Sequence, residues 1–279
     1  MTAFSKARFM NRRWDRGPAL NARQVQHMTD NGEIDAFRLL IDASQRIVFF
    51  TGAGISTESG IPDYRSPGTG IWNKIKPIQF QDFIASDEIR QESWRRRFTG
   101  ERKMERAKPN KGHEGVARLI QSGKAIAIIT QNVDNLHQDS GVPDDQIIQL
   151  HGNAMYAKCL SCNTRYEMAD LEQQFQQHAR VDPCGRCGGI IKSATISFGQ
   201  SMPEEEMQRA QFVTEECDLM IVIGSSLVVY PAAGFPEHSK RRGAKLAILN
   251  REETPLDPIA DLVLHEEIGP TMAYAVNLN

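Results

Sequence analysis

Four short apolar runs govern what this chain can fold into. Arg46 to Thr51 (RIVFFT), Ala125 to Thr130 (AIAIIT), Asp218 to Gly224 (DLMIVIG) and Lys245 to Asn250 (KLAILN) carry almost no polar alternation. A strand with one face in water alternates apolar and polar side chains. An unbroken run demands cover on both faces, which is the situation of a parallel sheet between two layers of helix. Stretches of helical length and pattern separate the runs, so the expected class is α/β, a Rossmann-like doubly wound parallel sheet. With 279 residues and 40% hydrophobic content, the chain can fill one large core and carry a smaller inserted domain.

Two regions break the alternation. Asn73 to His113 is charged and helical, with Trp94-Arg95-Arg96-Arg97-Phe98 at its middle, and reads as a helical cap beside the sheet. Asn153 to Ser193 is organised by cysteines. The expected division is therefore an N-terminal extension (1–35), a dinucleotide-binding domain (36–72, 114–152 and 194–279), and a small domain made of a helical insertion (73–113) and a metal-binding module (153–193). The extension holds Arg8, Arg12, Arg13, Arg16 and Arg23 with few acidic residues; it reads as a solvated arm or short leading helix ahead of an organellar presequence.

Cys159-x-x-Cys162 and Cys184-x-x-Cys187, 21 residues apart, supply four thiolates in two tight turns, with Asn163 after one pair and Gly188-Gly189 after the other. That is the pattern of a tetrahedral zinc site, and four protein ligands leave no open position, so one structural ion is expected. A redox-active Cys-x-x-Cys is the rival reading, and two paired copies weigh against it. Thiolate pairs imply a reducing cytoplasm. Cys217 reads as a small buried residue.

The chemistry-bearing residues follow the strands. After the first comes Thr51-Gly52-Ala53-Gly54-Ile55-Ser56-Thr57, a glycine turn entering an expected helix. There, backbone N–H groups receive a pyrophosphate, Gly52 and Gly54 allow close backbone approach, and Ser56 and Thr57 can add hydroxyl donors. No Lys-Ser/Thr pair follows, which argues against a triphosphate P-loop. After the second strand, Gln131, Asn132, Val133 and Asp134 stand where open α/β sheets bind ligands, although a helix cap alone would also explain an Asn or Asp there. His151, at the end of a short run (Gln146 to Leu150), is a candidate general base because imidazole titrates near neutrality; a lone histidine is more often just packed. Gly224, Ser225 and Ser226 end the third strand, and Asn250, Arg251 and Glu252 the fourth, where a polar side chain could hold an adenosine ribose.

In order, GAGISTESGIPDYR (Gly52 to Arg65), TQNVDNLH (Thr130 to His137), LHG (Leu150 to Gly152), the cysteine pairs and GSSLVVYP (Gly224 to Pro231) closely resemble the sirtuin family of NAD-dependent protein deacylases, of bacterial type. The resemblance spans about Asp35 to Ile268. It implies that His151 is the catalytic base, with Asn132 and Asp134 catalytic beside it, and that Gln131, Asn132 and Asp134 line the nicotinamide and ribose pocket. It also implies a cofactor loop with Ala53, Asp63, Tyr64 and Arg65, and an adenosine side with Gly224, Ser225, Ser226, Asn250, Arg251 and Ile268. Phe198-Gly199 and Leu227-Val228-Val229 resemble the two edges that clamp an extended acyl-lysine peptide. The implied reaction uses NAD as co-substrate and yields nicotinamide, free lysine and O-acyl-ADP-ribose.

Two departures bear on substrate. Where many members have Lys-Pro and Phe-Gly-Glu, this chain has Lys192-Ser193 and Phe198-Gly199-Gln200, an amide in place of a carboxylate. The tyrosine and arginine pair of succinyl- and malonyl-lysine specialists is absent from the helical insertion, so a neutral acyl group, acetyl first, is expected. The alternatives are an ADP-ribosyltransferase or NAD glycohydrolase in the same pocket, or a non-catalytic nucleotide-sensing fold with a zinc ribbon. The expected partner is an acyl-lysine protein or peptide. A formal charge of −2 and the lack of a run of roughly 20 apolar residues argue against nucleic acid and membrane, and a cytoplasmic monomer is expected.

Overall fold

The computed structural model describes residues 32–68, 70–73, 75–99 and 103–278. Most of the expected N-terminal extension, with its arginines, lies outside the described residues. Helix α1 (Gly32–Ala43) leads into β1 (Ile47–Thr51). Helices α2 (Phe80–Ala85), α3 (Asp87–Thr99) and α4 (Lys103–Arg106) occupy the first insertion, and α5 (Lys111–Gln121) returns the chain to β2 (Ala125–Thr130). A short α6 (Leu136–Asp139) precedes β3 (Ile147–Gln149). Then come β4 (Gly152–Cys159), β5 (Arg165–Glu167), α7 (Met168–His178) and β6 (Ile191–Thr195), followed by α8 (Glu204–Glu216), β7 (Leu219–Ile223), α9 (Gly234–Arg241), β8 (Lys245–Leu249), β9 (Leu262–Leu264) and α10 (Ile268–Ala275).

Six strands pair in the order β3-β2-β1-β7-β8-β9, every neighbour parallel. From β1 the chain winds one way through β2 and β3, and from β7 the other way through β8 and β9. The reversal between β1 and β7 is where doubly wound sheets open a crevice at their carboxyl ends. Every residue of β1 and β7 is buried, as their unbroken apolar runs require. Strand alternation sends Phe49 into one core, with Phe37, Ile55, Val116 and Met272, and Phe50 into the other, with Ile129, Val222, Phe235 and Leu246. Each such side chain contributes about 2–3 kcal/mol by leaving water. β9 is a sixth strand that the apolar runs did not announce; at three residues it is too short to show a period.

The second insertion forms a three-stranded antiparallel sheet in the order β5-β4-β6. Its core joins Ala157, Ile191, Leu171 and Phe175 to Trp94 and Phe98 of α3, whose rings stack with centroids 5.5 Å apart. The two insertions therefore share one core. α5 starts on Asn110, whose side chain accepts from Gly112 N at 2.9 Å while His113 Nδ1 accepts from Asn110 N at 3.4 Å, a reciprocal cap. Among the described residues, no helix is long and apolar enough to cross a membrane.

Candidate active site

The carboxyl ends of β1, β2 and β7 open into a cleft of about 570 Å³, within the size range of cofactor pockets. Gly52, Ala53, Gly54, Asp63, Tyr64, Arg65, Gln131, Asn132, Val133, His151, Gly224, Ser225, Ser226, Asn250 and Glu252 line it. Thr57, Arg251 and Ile268 line a smaller pocket that shares Gly54, Asp63, Asn250 and Glu252 with the cleft and so continues it. Segments as far apart in sequence as Gly52 and Glu252 thus meet on one surface.

The glycine turn is built differently from the expectation. A β-carbon on Gly52 or Gly54 would lie 2.6 Å from the backbone of Gly224, and one on Gly224 would lie 2.3 Å from Ile55 N. Gly54 N donates to Gly224 O at 2.8 Å. The glycines therefore let the β1 and β7 loops interlock, and the close backbone approach they permit is first to each other. The segment that follows is a 3-10 helix, Ala53–Ser59, not an α-helix; Gly60 ends it at φ 85. Each hydroxyl already has an acceptor within the protein. Ser56 donates to Asp134 Oδ2 at 2.6 Å, and Thr57 donates to Gly54 O at 2.9 Å.

Behind the cleft wall, one hydrogen-bonded chain ties the β1 and β2 loops together. Asn132 Nδ2 donates to Gly52 O (3.1 Å) and Ser56 Oγ (3.2 Å), and Asp134 Oδ1 accepts from Leu136 N (3.1 Å). Asp134 is buried and absent from the cleft lining. Burial pushes its carboxyl up, against the bonds from Ser56 and Leu136 that favour its charge. Asp134 thus bears on the cleft through Ser56 and Asn132. Gln131 reaches across the opening, donating to Ser225 Oγ at 2.8 Å.

His151 follows β3 and precedes β4, at the seam between the two sheets. Its Nδ1 lies 3.0 Å from the carbonyl oxygen of Gln131. A carbonyl only accepts, so Nδ1 carries the proton and Nε2 keeps its lone pair. Burial lowers the imidazole pKa; the Gln131 bond opposes this and the Arg65 charge adds to it. A neutral ring with one free basic nitrogen is what a general base at neutral pH requires.

On the far side, Phe198, Gly199 and Val229 line the cleft, while Val228 is half exposed beside it. The side chain of Leu227, at 1% exposure, is in the core, so what it offers a ligand is its backbone. Residues not singled out from sequence also line the cleft. Trp72 packs against Tyr64 (5.1 Å) and Phe198 (5.2 Å) with the Arg65 guanidinium 4.2 Å above its ring, and Ile196 and Tyr230 share the wall with Gln200, the amide noted above in place of a carboxylate. Tyr230 lay within the GSSLVVYP segment, whereas nothing local marks Ile196.

The four cysteine sulfurs lie within 4.8 Å of one another, with Cys159–Cys187 at 3.5 Å and Cys162–Cys184 at 3.6 Å. Tetrahedral zinc–sulfur bonds of about 2.3 Å set sulfurs roughly 3.8 Å apart, so the donor set and its spacing fit one zinc ion. Asn163 (φ 56) and Gly188 (φ 73) provide the left-handed turns after each pair. Cys217 lies away from this cluster. Burial pushes its thiol up to about 12, so it is inert.

Comparison with known proteins adds to this geometry. The Sir2 family matches residues 52–231, which is most of the chain. A protein named NAD-dependent protein deacetylase 1 from Bradyrhizobium diazoefficiens is 54% identical over 233 residues, covering 84% of this chain and 91% of its own length. A NAD-dependent protein deacetylase from Rhodopseudomonas palustris is 51% identical over 233 residues, covering 84% of this chain and 92% of its own. Among solved structures, Sir2 with a p53 peptide and NAD+ aligns at 35% identity and a TM-score of 0.78, covering 88% of this chain and 97% of that one. With a match that takes in the interlocked glycine turn, the histidine at the seam and the cysteine cluster alike, the chain belongs to the Sir2 family.

Proposed function

We propose that this protein removes acyl groups, acetyl foremost, from protein lysine side chains, using NAD as co-substrate and releasing nicotinamide and O-acyl-ADP-ribose. The observation that carries the reading is the state of His151: Nδ1 is fixed on the Gln131 carbonyl and Nε2 is free in a cleft that also holds the Gly52–Gly54 turn. The relatives' name, NAD-dependent protein deacetylase, supports it.

NAD supplies a glycosidic bond to nicotinamide, whose cleavage makes a ribose carbon electrophilic. The chain's residues do the rest. Asn250, Glu252 and Ser226, with Arg251 and Ile268 in the adjoining pocket, hold the adenosine side; Ala53, Asp63, Tyr64 and Arg65 cover the cofactor. Gln131, Asn132 and Val133 face the nicotinamide half, and Asp134 and Ser56 hold Asn132 from behind. His151 Nε2 takes the proton from a ribose hydroxyl. The ring of Trp72 with Tyr64 and Phe198 excludes water from the reacting centre. An extended peptide lies between Phe198-Gly199 and Val228-Val229, bound through main-chain bonds that tolerate varied sequence.

Cys159, Cys162, Cys184 and Cys187 hold one zinc ion with a structural role, since no ligand position is left for water. The two insertions form one small lobe (73–113 with 153–193) beside the dinucleotide-binding lobe (36–72, 114–152 and 194–279), a division supported by the core they share. We place the activity in the reducing cytoplasm, in keeping with five unbridged cysteines, and on protein instead of nucleic acid, in keeping with a formal charge of −2. The test is His151→Ala. It should lower steady-state formation of deacylated lysine and O-acyl-ADP-ribose by about a hundredfold or more while NAD affinity stays within a few fold. Wild-type turnover in that variant would refute the assignment, and nicotinamide release indifferent to acyl-peptide would favour the glycohydrolase alternative.

A further inference from the structure

Lys192 is buried, at 4% exposure, and no carboxylate pairs with it among the described residues. An unpaired ammonium in such a place is costly, and burial pushes its pKa down to about 8. Its hydrogen bonds go to two carbonyls of its own segment: Nζ donates to Thr195 O at 2.6 Å and to Ser193 O at 3.3 Å. Its charge also sits 6.0 Å from the ring of Phe83, on α2.

Thr195 is where β6 ends and the cleft wall begins. Residues 195–200 all line the cleft. Three bonds hold this strip from different directions: Lys192 grips Thr195 O, Ile196 N donates to His151 O at 2.8 Å, and Phe80 N donates to Phe198 O at 2.9 Å. The first is the charge-assisted one, and it acts at the point where the strip leaves β4, opposite Gly152. β6 is an edge strand of its sheet, so no further strand fixes the strip from outside.

We propose that Lys192 is a positioning residue for the acyl-lysine peptide: by clamping the Thr195 carbonyl it sets the edge at residues 196–199 on which the peptide is laid. This rests on the peptide-binding reading above. Strand addition depends on the backbone direction of the receiving edge, so loss of the clamp is felt in peptide affinity. The NAD side, built from the β1, β7 and β8 loops, is untouched.

The experiment compares wild type, Lys192→Met, which keeps the stem and removes the donors, and Lys192→Arg, which keeps the cation. KM for an acetyl-lysine peptide, KM for NAD, kcat and melting temperature are measured for each. Loss of a hydrogen bond from a charged group is expected to raise the peptide KM of Lys192→Met roughly tenfold. Its NAD KM and kcat should move about twofold or less, and Lys192→Arg should recover most of the peptide affinity. An unchanged peptide KM overturns the proposal, as does a rise in both KM values together, which marks a merely structural role. Should Lys192→Met fail to fold, Lys192→Gln is read by the same ratio of KM values, and failure of both to fold also overturns it. A wild-type protein with no acyl-peptide-dependent turnover is a different result, one that refutes the proposed function itself.

Discussion

Gly224→Ala is the most demanding test of the interlocked loops, because the structure provides its own control in Gly60→Ala. Both glycines have positive φ, 62 at Gly224 and 85 at Gly60, so both substitutions incur roughly 1–2 kcal/mol for a left-handed alanine. At Gly60 the added carbon meets nothing within 4 Å; at Gly224 it lies 2.3 Å from Ile55 N and 2.6 Å from Gly54 C. Those are backbone atoms, so no rotamer change relieves the contact and the β1 and β7 loops must part. Overpacking of this kind costs about 1–3 kcal/mol, and weakening the Gly54 N to Gly224 O bond adds about 1. Gly224→Ala should therefore lose about 3–6 kcal/mol against about 1–2 for Gly60→Ala. For a domain of this size each kcal/mol shifts Tm by roughly 2–4 °C, so the two variants should melt about 5 °C or more apart. Thermal melts by circular dichroism, with NAD titration calorimetry alongside, read both effects, and Gly224→Ala should also bind NAD more weakly. Equal melting of the two variants would show that the loops do not interlock as described.

Acid should destabilise the protein through its buried histidines. His113 is pushed down to about 4 by burial, and His137 well below its usual value by burial and by His113, whose ring centroid is 5.1 Å away. Both are neutral when folded, so the unfolded chain takes up protons first as pH falls below about 6.5. Their contribution is thus complete above that value and lost toward pH 4, by about 3 kcal/mol for His113. Urea melts across that range should show the decline, and a flatter profile in His137→Gln would confirm its source; an unchanged profile would count against it. Removing zinc with a chelator, or Cys184→Ser, should melt the small lobe, since structural zinc contributes directly to folding. Trp94 fluorescence reports this, and a signal indifferent to chelation would refute the metal's structural role.

Much of this was legible in the sequence, for physical reasons. Residues 46–51, 125–130, 218–224 and 245–250 betray buried parallel strands because runs so short, unbroken and rich in Ile and Val suit a strand covered on both faces better than a helix, and a doubly wound sheet must then gather their terminal loops at one edge. The cysteine pairs were equally plain, since their spacing leaves few other uses. What the sequence hid was direction and partnership. Asp134 and Ser56 sit in motifs that promise ligand contact, yet they bond each other, because a buried hydroxyl must find an acceptor and a carboxylate lay within reach. Leu227 turns inward at φ 53, a conformation no local pattern announces. The partner of Gly54 lies far along the chain, and Lys192 looks like any strand lysine until the fold encloses it.

The strand order has a consequence for how such an apolar slab stays out of trouble. Its outermost members, β3 and β9, are three residues each. A neighbouring chain seeking to extend the ladder finds only a few unpaired amides and carbonyls on either rim, too short a template to nucleate growth. The longest and greasiest strands are shielded in the middle, so the architecture that brings the loops together also guards against runaway association.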